Sequence, residues 1–149
     1  MWRRVSTHLK KEPIGPPQAL LAKAETVTKS KQEIGKKGES VAVRYLKKQG
    51  YKIIEQNYRS KVGEIDIIAR EKRTLVFVEV KTRSSRSFGS PKWAVTPKKQ
   101  KAISMAALYY LKMTNQANAA ARFDVVSILA QGEDTQIELV RNAFDLAYP

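Results

Sequence analysis

Two carboxylates and a lysine interrupt segments that are otherwise strongly apolar. Asp66 lies within Glu64–Arg70, and Glu79 and Lys81 lie within Leu75–Thr82. Placing such groups beside a hydrophobic core costs several kcal/mol unless a cation or hydrogen bonds compensate them. The sequence therefore predicts that these three residues form a functional site. The alternative is a purely structural cluster of a lysine with carboxylates.

These residue types suit the cleavage of phosphodiester bonds with the help of a divalent cation. Two carboxylates that are distant in sequence and adjacent in space bind a hard cation such as Mg²⁺ or Mn²⁺, which keeps waters for the substrate. The cation polarises the phosphodiester and lowers the pKa of its water. Lys81 can orient that water and stabilise the charge at phosphorus. The peptide carbonyl of Val80, between Glu79 and Lys81, is a further candidate ligand.

The alternation of side chains along strands predicts how the two carboxylates converge. In the segment that contains Glu79 and Lys81, the opposite face is an apolar stripe made of Val76, Val78 and Val80. In the preceding segment, Asp66 is expected on the face opposite to Ile65, Ile67 and Ala69. If the two segments form a hairpin, Asp66 and Glu79 meet near one end of the sheet.

Two further glutamates are candidates for outer positions in this site. Glu39 lies at the border of the apolar stripe of a predicted helix, and Gly35 and Gly38 beside it allow a close approach to the sheet. The alternative for Glu39 is a solvated glutamate that pairs with nearby lysines. Glu64 is expected to face the same way as Asp66. Three roles are open for Glu64: a metal ligand, a charge at the strand edge or, as we favour, a hydrogen-bond acceptor that orients the metal ligands without binding the metal itself.

The charge distribution points to a polyanionic partner. The net charge is +14, and residues 35–112 carry 19 basic and 6 acidic residues, whereas residues 113–149 carry 2 basic and 5 acidic residues. A segment this positive repels itself unless it binds a polyanion. Nucleic acid is the first candidate for this partner. An anionic membrane surface and a merely solubilising surface are the alternatives.

Four basic residues near the predicted site are candidates for phosphate contacts. Arg83 follows the site directly, although an exposed loop face explains it almost as well. Lys98 and Lys99 fall in the first turn of a predicted helix, where the helix dipole disfavours each cation by roughly 0.3–1 kcal/mol. A phosphate bound there would reverse that penalty. Lys101 is a weaker candidate of the same kind.

Composition excludes several other classes of site. The chain has no cysteine, which excludes a disulfide framework, a thiol nucleophile and a thiolate metal site. Its one histidine, His8, lies near the N-terminus, so a His-based zinc centre or a Ser–His–Asp triad is not expected. No apolar run approaches the roughly 20 residues of a membrane helix. In the loop after the site, Arg86 could reach phosphates, while Phe88 and Trp93 suit base stacking or anchoring of the loop.

The segment pattern predicts one domain of αβββαββ order, residues 34–149, after a basic, flexible extension at residues 1–33. The extension lacks a secretory apolar region, which favours a cytoplasmic protein, and it contains a marginal helix from Gln18 to about Lys31. Periodicity and turn residues predict the domain's elements. They are helices at about Ile34–Gln49 and Thr96–Met113, and strands at Tyr51–Arg59, Glu64–Arg70, Leu75–Thr82, Arg122–Ala130 and Gln136–Asn142.

The combination of motifs resembles a known family. The resemblance lies in GKKGESVAVRYLKKQGYKIIEQNYRSKVGEIDIIAR, followed by LVFVEVKTR, FGSP, a lysine-rich helix and RFDVVSI, and it covers about residues 33–145. An E-x-K triplet alone occurs by chance in most proteins. G-E-I-D followed by F-V-E-V-K, with 13 residues from Asp66 to Glu79, is specific. The sequence is similar to the YraN-like family of uncharacterised bacterial proteins, within the PD-(D/E)XK nuclease superfamily.

This resemblance implies a fold and a set of site residues. The fold is a restriction endonuclease-like α/β core of αβββαβ order, with a mixed four- to five-stranded sheet flanked by helices. Asp66 and Glu79 would be the metal ligands and Lys81 the catalytic lysine. Glu39 would be the helix-borne acid of Holliday junction resolvase-like members. The superfamily's nominal proline before the aspartate is Ile65 here, a departure that is common among its members.

The expected function is therefore a Mg²⁺- or Mn²⁺-dependent endonuclease acting on DNA, branched or structured DNA included. Resolvase-like relatives suggest a homodimer, and no membrane partner is expected. The alternatives are a non-catalytic nucleic-acid-binding module that retains the fold and a basic protein-interaction domain. The intact Asp–Glu–Lys set favours the enzyme, because a degenerate member would be expected to lose at least one of the three. The family has no settled substrate, so the resemblance does not supply one.

Overall fold

The computed structural model describes residues 18–85, 89–90 and 94–147, with the backbone alone for residues 18–30. The chain divides between Glu33 and Ile34 into two units, and all five strands belong to the second unit. The predictions for residues 1–17, Arg86, Phe88 and Trp93 concern residues outside this description.

Two helices and five strands follow one another in the predicted order. They are α1 (Gln18–Lys48), β1 (Lys52–Ser60), β2 (Gly63–Glu71), β3 (Thr74–Arg83), α2 (Pro97–Met113), β4 (Ala121–Gln131) and β5 (Asp134–Phe144). The predicted αβββαβ core, extended by a fifth strand, is confirmed. Among the described residues, no helix is long and apolar enough to cross a lipid bilayer.

Helix α1 begins at Gln18, so the prediction of two separate helices, with the second starting near Ile34, is wrong. The reason is that residues 18–34 contain neither glycine nor proline and are rich in alanine, lysine, glutamine and glutamate, which favour a continuous helix. The predicted end is confirmed at Gly50, where φ is +92°. There the Tyr51 N–H donates to the Leu46 carbonyl at 3.0 Å, which satisfies a carbonyl at the end of the helix.

The sheet is mixed, as predicted, and has the strand order β1-β2-β3-β4-β5. Strands β3 and β4 are parallel, and the other neighbours are antiparallel. The parallel pair requires a crossover, which α2 supplies. The helix begins as predicted, with Pro97 in its first turn and the Thr96 hydroxyl accepting a hydrogen bond from the Lys99 N–H at 3.2 Å.

The helices cover opposite faces of the sheet. Alternate residues of β3 and β4 fall into two buried clusters, one with each helix. The cluster with α1 contains Ala42, Val43 and Leu46 against Val76, Val78, Val126 and Ile128. The cluster with α2 contains Ile103, Ala106, Ala107 and Tyr110 against Leu75, Phe77, Phe123 and Val125. Strand β3 therefore lies between two apolar layers.

A buried hydrogen-bond network fixes the start of β4. Asp124 is fully buried and accepts hydrogen bonds from the Tyr51 hydroxyl at 2.8 Å, from Arg122 Nε at 2.9 Å and from the Asn142 N–H at 2.9 Å. Arg122 also pairs with Glu71 at the end of β2. Because donors from other elements and from its own strand engage both of its oxygens, Asp124 has a structural role.

Candidate active site

Strands β2 and β3 part where the two predicted metal ligands lie. Their ladder of paired residues ends with the pair Ile67–Val78. Beyond it, the Val80 N–H donates to Asp66 Oδ2 at 2.8 Å, so a side chain replaces a backbone acceptor of β2. Hydrogen bonds to an ionised carboxylate are short and strong. The carboxylate of Asp66 is thereby held against the backbone of β3, one residue from Glu79.

The alternation of side chains along β2 breaks at Asp66. Ile65 packs in the cluster with α2, whereas Ile67 and Ala69 pack in the cluster with α1. The prediction that these three side chains share one face is therefore wrong. The physical reason lies in β1, where Asn57 has a left-handed φ of +52° and the residues on either side of it pair with those on either side of Asp66. Such an irregularity bends and twists a strand.

Glu79 is buried on the α2 side of the sheet and hydrogen-bonds with Asp66. Its exposed fraction is only 5%. Burial, followed by the negative charge of Asp66, raises the pKa of Glu79 to about 7, against the opposing effect of two lysines. Two carboxylates this close cannot both remain charged at little cost, so they share a proton or bind a cation. The structure thus brings together the two carboxylates that the hairpin argument placed at one end of the sheet.

Two lysines converge on Glu79. Lys81 Nζ lies 3.4 Å from Glu79 Oε1, and Lys99 Nζ lies 3.9 Å from the same oxygen. Lys99 was predicted as a phosphate contact, and its reach to Glu79 was not foreseen. Its position in the first turn of α2 is unfavourable for a cation, and the charge of Glu79 compensates this. The site therefore contains two amines, one from the sheet and one from a helix.

Glu39 approaches the site from α1. Burial, followed by the negative charge of Asp66, raises the pKa of Glu39, whereas a hydrogen bond with Asn57 and the positive charges of Arg59 and Lys36 oppose the shift. The charges of Glu39 and Asp66 are thus close enough to interact. Of the two readings of Glu39, the structure favours the one in which it leans toward the sheet. Its role as a metal ligand stays a prediction.

Gly38 allows this approach. A Cβ added at Gly38 would lie 2.2 Å from Thr82 Oγ1, a distance that real Cβ atoms do not show. Helix α1 therefore contacts the end of β3 through a position without a side chain, and Glu39 follows directly. Gly35, which we expected to act in the same way, has no atom within 4 Å of such a Cβ.

Two other predicted site residues keep their roles as predictions. Val80 is partly buried, and its N–H is bound to Asp66, while the role of its carbonyl as a ligand is untested. Glu64 is exposed, and its Cα pairs with that of Arg59 in β1. This is the position of a charge at the strand edge, which was one of the three readings of Glu64.

The predicted phosphate contacts lie around the site in different environments. Arg83 ends β3 and donates from Nη1 to the Gly89 carbonyl at 3.1 Å. Lys98 and Lys101 are exposed on α2, and Lys99 faces Glu79. Whether any of the four contacts phosphate stays a prediction.

Sequence reasoning missed Asn57 and the second role of Lys99. Asn57 gave one signal, since asparagine is unfavourable in strands and adopts left-handed backbone more readily than most residues. Lys99 gave no signal of its own, because its contact depends on where α2 meets the sheet.

The donor set of this site fits a hard divalent cation. Within residues 18–85, 89–90 and 94–147, no group of three or more carboxylate or imidazole side chains is arranged to hold a metal ion. Mg²⁺ does not need one, because it commonly takes one or two carboxylates and keeps several waters. Asp66 and Glu79 supply oxygen donors with excess negative charge at one point. These observations fit Mg²⁺ or Mn²⁺.

The contact between Gly38 and Thr82 predicts opposite effects for two glycine substitutions in α1. Gly38→Ala should lower the free energy of unfolding by about 1–3 kcal/mol, since the new methyl group overpacks against Thr82. Gly35→Ala is the matched control and should raise it by roughly 0.5–1 kcal/mol, because alanine favours a helix at an open position. Urea denaturation measures both. Adding Thr82→Ala to Gly38→Ala should recover most of the loss, and equal effects of the two glycine substitutions would contradict the contact.

The raised pKa of Glu79 predicts how stability depends on pH without divalent cations. The pKa of about 7 in the folded protein exceeds the ordinary glutamate value of 4.5, so the folded protein holds more protons than the unfolded chain between these pH values. The free energy of unfolding should therefore fall as pH rises through this window and level off above pH 7. Glu79→Gln should remove this fall and be more stable than wild type at pH 8, by on the order of 2–3 kcal/mol.

Chemical denaturation in EDTA at several pH values measures this effect of Glu79. Glu133→Gln, which changes an exposed glutamate in the turn between β4 and β5, should follow the wild-type curve. If Glu79→Gln is less stable than wild type at pH 8, burial and the neighbouring Asp66 do not destabilise the charged form of Glu79.

Comparison with known proteins identifies the family. Residues 38–128 match the model of the uncharacterised protein family UPF0102. A UPF0102 protein of Desulfosudis oleivorans is 57% identical over 115 residues, which are 77% of this chain and 92% of that protein. A UPF0102 protein of Geobacter metallireducens is 55% identical over 117 residues, which are 78% of this chain and 96% of that protein.

Among solved structures, the chain is similar to SfsA of Pyrococcus furiosus, solved in complex with Ca²⁺, with a TM-score of 0.37 and 12% identity. The likeness covers 74% of this chain, which spans only 62% of the SfsA chain. No functional inference follows from a similarity this distant. The sequence relatives are decisive, and they agree with the YraN-like motifs: the chain belongs to the uncharacterised protein family UPF0102.

Proposed function

We propose that the protein is a metal-dependent nuclease that hydrolyses phosphodiester bonds in DNA, branched or structured DNA included. One observation carries this proposal. The carboxylates of Asp66 and Glu79 meet in a hydrogen bond, and the amines of Lys81 and Lys99 converge on Glu79. Acidic and basic groups gathered around a buried carboxylate of raised pKa are typical of a catalytic centre.

The carboxylates would hold the cation. Asp66 and Glu79 would bind Mg²⁺ or Mn²⁺, with Glu39 and the carbonyl of Val80 as outer ligands. A cation bound there supplies Lewis-acid polarisation of the phosphodiester and neutralises negative charge that develops during hydrolysis. The hydrogen bond from the Val80 N–H fixes one oxygen of Asp66, and the cation would take the place of the hydrogen bond that Asp66 makes with Glu79.

The lysines would act on the substrate. The side chains of Lys81 and Lys99 are 36% and 40% exposed, so each amine can contact a phosphate oxygen from the solvent side while it remains near Glu79. Lys81 would orient the attacking water and stabilise the charge at phosphorus. Lys99 would add a second positive charge at the same point, where such charges act most strongly on a transition state.

The surrounding positive charge would hold the nucleic-acid backbone. Arg83, Lys98 and Lys101 lie in the segment of residues 35–112, which carries 19 basic residues, and they would contact phosphates on either side of the cleaved bond. Such contacts confer affinity that falls steeply with salt concentration. A cytoplasmic location and a homodimer belong to the same proposal, and the sequence resemblance alone supports the homodimer.

A cleavage assay tests the proposed function. With Mg²⁺ or Mn²⁺, the wild-type protein should cut at least one substrate among linear duplex, flapped, branched and single-stranded DNA. Lys81→Ala and Glu79→Ala should each lower the rate constant of cleavage by about 100-fold or more, because each removes a group that acts on the transition state. Lys112→Ala, which changes an exposed lysine at the far end of α2, is the control and should cleave at the wild-type rate.

The opposite outcome is equally clear. If the wild-type protein cleaves none of these DNA substrates and no RNA, and Glu79→Ala is indistinguishable from it, the nuclease proposal is contradicted. Retention of DNA binding in that case would favour the non-catalytic nucleic-acid-binding module.

A further inference from the structure

A cleft of about 600 Å³ opens on the sheet beside the proposed active site. It is lined in part by Arg83, Ser127, Leu129, Gln136, Ile137 and Glu138. In the register of the sheet, Lys81 is the partner of Ser127, and Ser127 is the partner of Glu138. The cleft therefore continues the row that begins at Lys81 across strands β4 and β5.

The spacing along β3 relates the cleft to the site. Glu79, Lys81 and Arg83 occupy alternate positions, so they belong to one face of the strand. Arg83 lies two residues beyond Lys81, which is about 6.6 Å along a strand. This is close to the separation of successive phosphates in an extended nucleic-acid strand. A strand with its cleaved phosphate at Lys81 can therefore present the next phosphate to Arg83.

The lining combines groups that suit a nucleotide. The volume lies within the roughly 300–1,000 Å³ of typical small-molecule sites. Arg83 places a positive charge two residues from Lys81 along β3, and Leu129 adds apolar surface on β4. Glu138 is exposed and places a carboxylate on β5, which is separated from β3 by β4. A carboxylate repels phosphate but accepts hydrogen bonds from the amino group of a base, as glutamate does from cytosine N4.

We propose that this cleft binds an unpaired nucleotide next to the cleaved phosphate, with a preference for a base that carries an amino group, such as cytosine, over thymine. The phosphate lies toward Arg83, and the base lies between Leu129 and Glu138. A base held in this way is not available for pairing, so the substrate is a single strand or the unpaired part of a branched one. This inference rests on the proposed nuclease function, because the position of Lys81 defines where the nucleotide begins.

Binding to short oligonucleotides in EDTA tests the cleft without any need for cleavage. The probes are fluorescein-labelled oligodeoxycytidylate and oligodeoxythymidylate of equal length, and the readout is fluorescence anisotropy. The wild-type protein should bind the cytidylate about fivefold more tightly, because thymine presents a carbonyl oxygen where cytosine presents its amino group. Glu138→Gln should abolish most of this preference, since an amide can also donate to thymine.

Glu133→Gln is the matched control, because it removes the same negative charge from an exposed position in the turn between β4 and β5. It should keep the fivefold preference, which separates a contact to the base from a change in overall charge. Equal binding of the two oligonucleotides by wild type, or an unchanged preference in Glu138→Gln, overturns the proposed cleft. If the preference behaves as expected but the cleavage assay fails, the cleft stands as a nucleotide site and the hydrolytic function falls.

Discussion

The Val80 N–H in the central strand β3 finds its acceptor in the side chain of Asp66, at the point where the ladder between β2 and β3 ends. A backbone donor in this partly buried position would lose stability without an acceptor, so the bond secures β3 where its pairing with β2 ends. It also places a carboxylate one residue from Glu79. The charge of Glu39 on α1 interacts with that of the same carboxylate, and Lys99 on α2 lies 3.9 Å from Glu79. Because β2 and β3 separate there, side chains from the helices on both faces of the sheet lie near the same pair of carboxylates.

The electrostatics of the site favour function over stability. Glu79 is nearly excluded from water and lies beside a second carboxylate, both of which raise its pKa, and two lysines only partly compensate. A polar cluster of this kind is seldom the most stable solution for a buried position. The network around Asp124 is a useful contrast within the same sheet, because donors from several elements surround that carboxylate. Asp124 is satisfied by the fold, whereas the charged form of Glu79 is only partly compensated.

Much of this arrangement could be predicted from the sequence, because strand alternation and turn residues are local signals. They gave the order of elements and brought Asp66 and Glu79 to one end of the sheet. They could not predict on which face of the sheet Ile65 lies, because the alternation of β2 fails opposite Asn57, whose backbone in β1 is left-handed. The contact of Gly38 with Thr82 and the reach of Lys99 were also beyond prediction, because both depend on where helices meet the sheet. The predicted start of α1 was wrong because the residues before the apolar stripe favour a helix and include no glycine or proline, so the helix begins earlier in the chain.

The central claim is that Asp66 and Glu79 hold a divalent cation, and anomalous diffraction from crystals grown with Mn²⁺ tests it most directly. One anomalous peak is expected between the two carboxylates, at about 2.0–2.2 Å from an oxygen of each, the distance typical of a small hard cation. The same crystals of Glu79→Gln should show a much weaker peak or none. A wild-type map without a peak at this position, with the lysine amines still the nearest cations to Glu79, would contradict the claim.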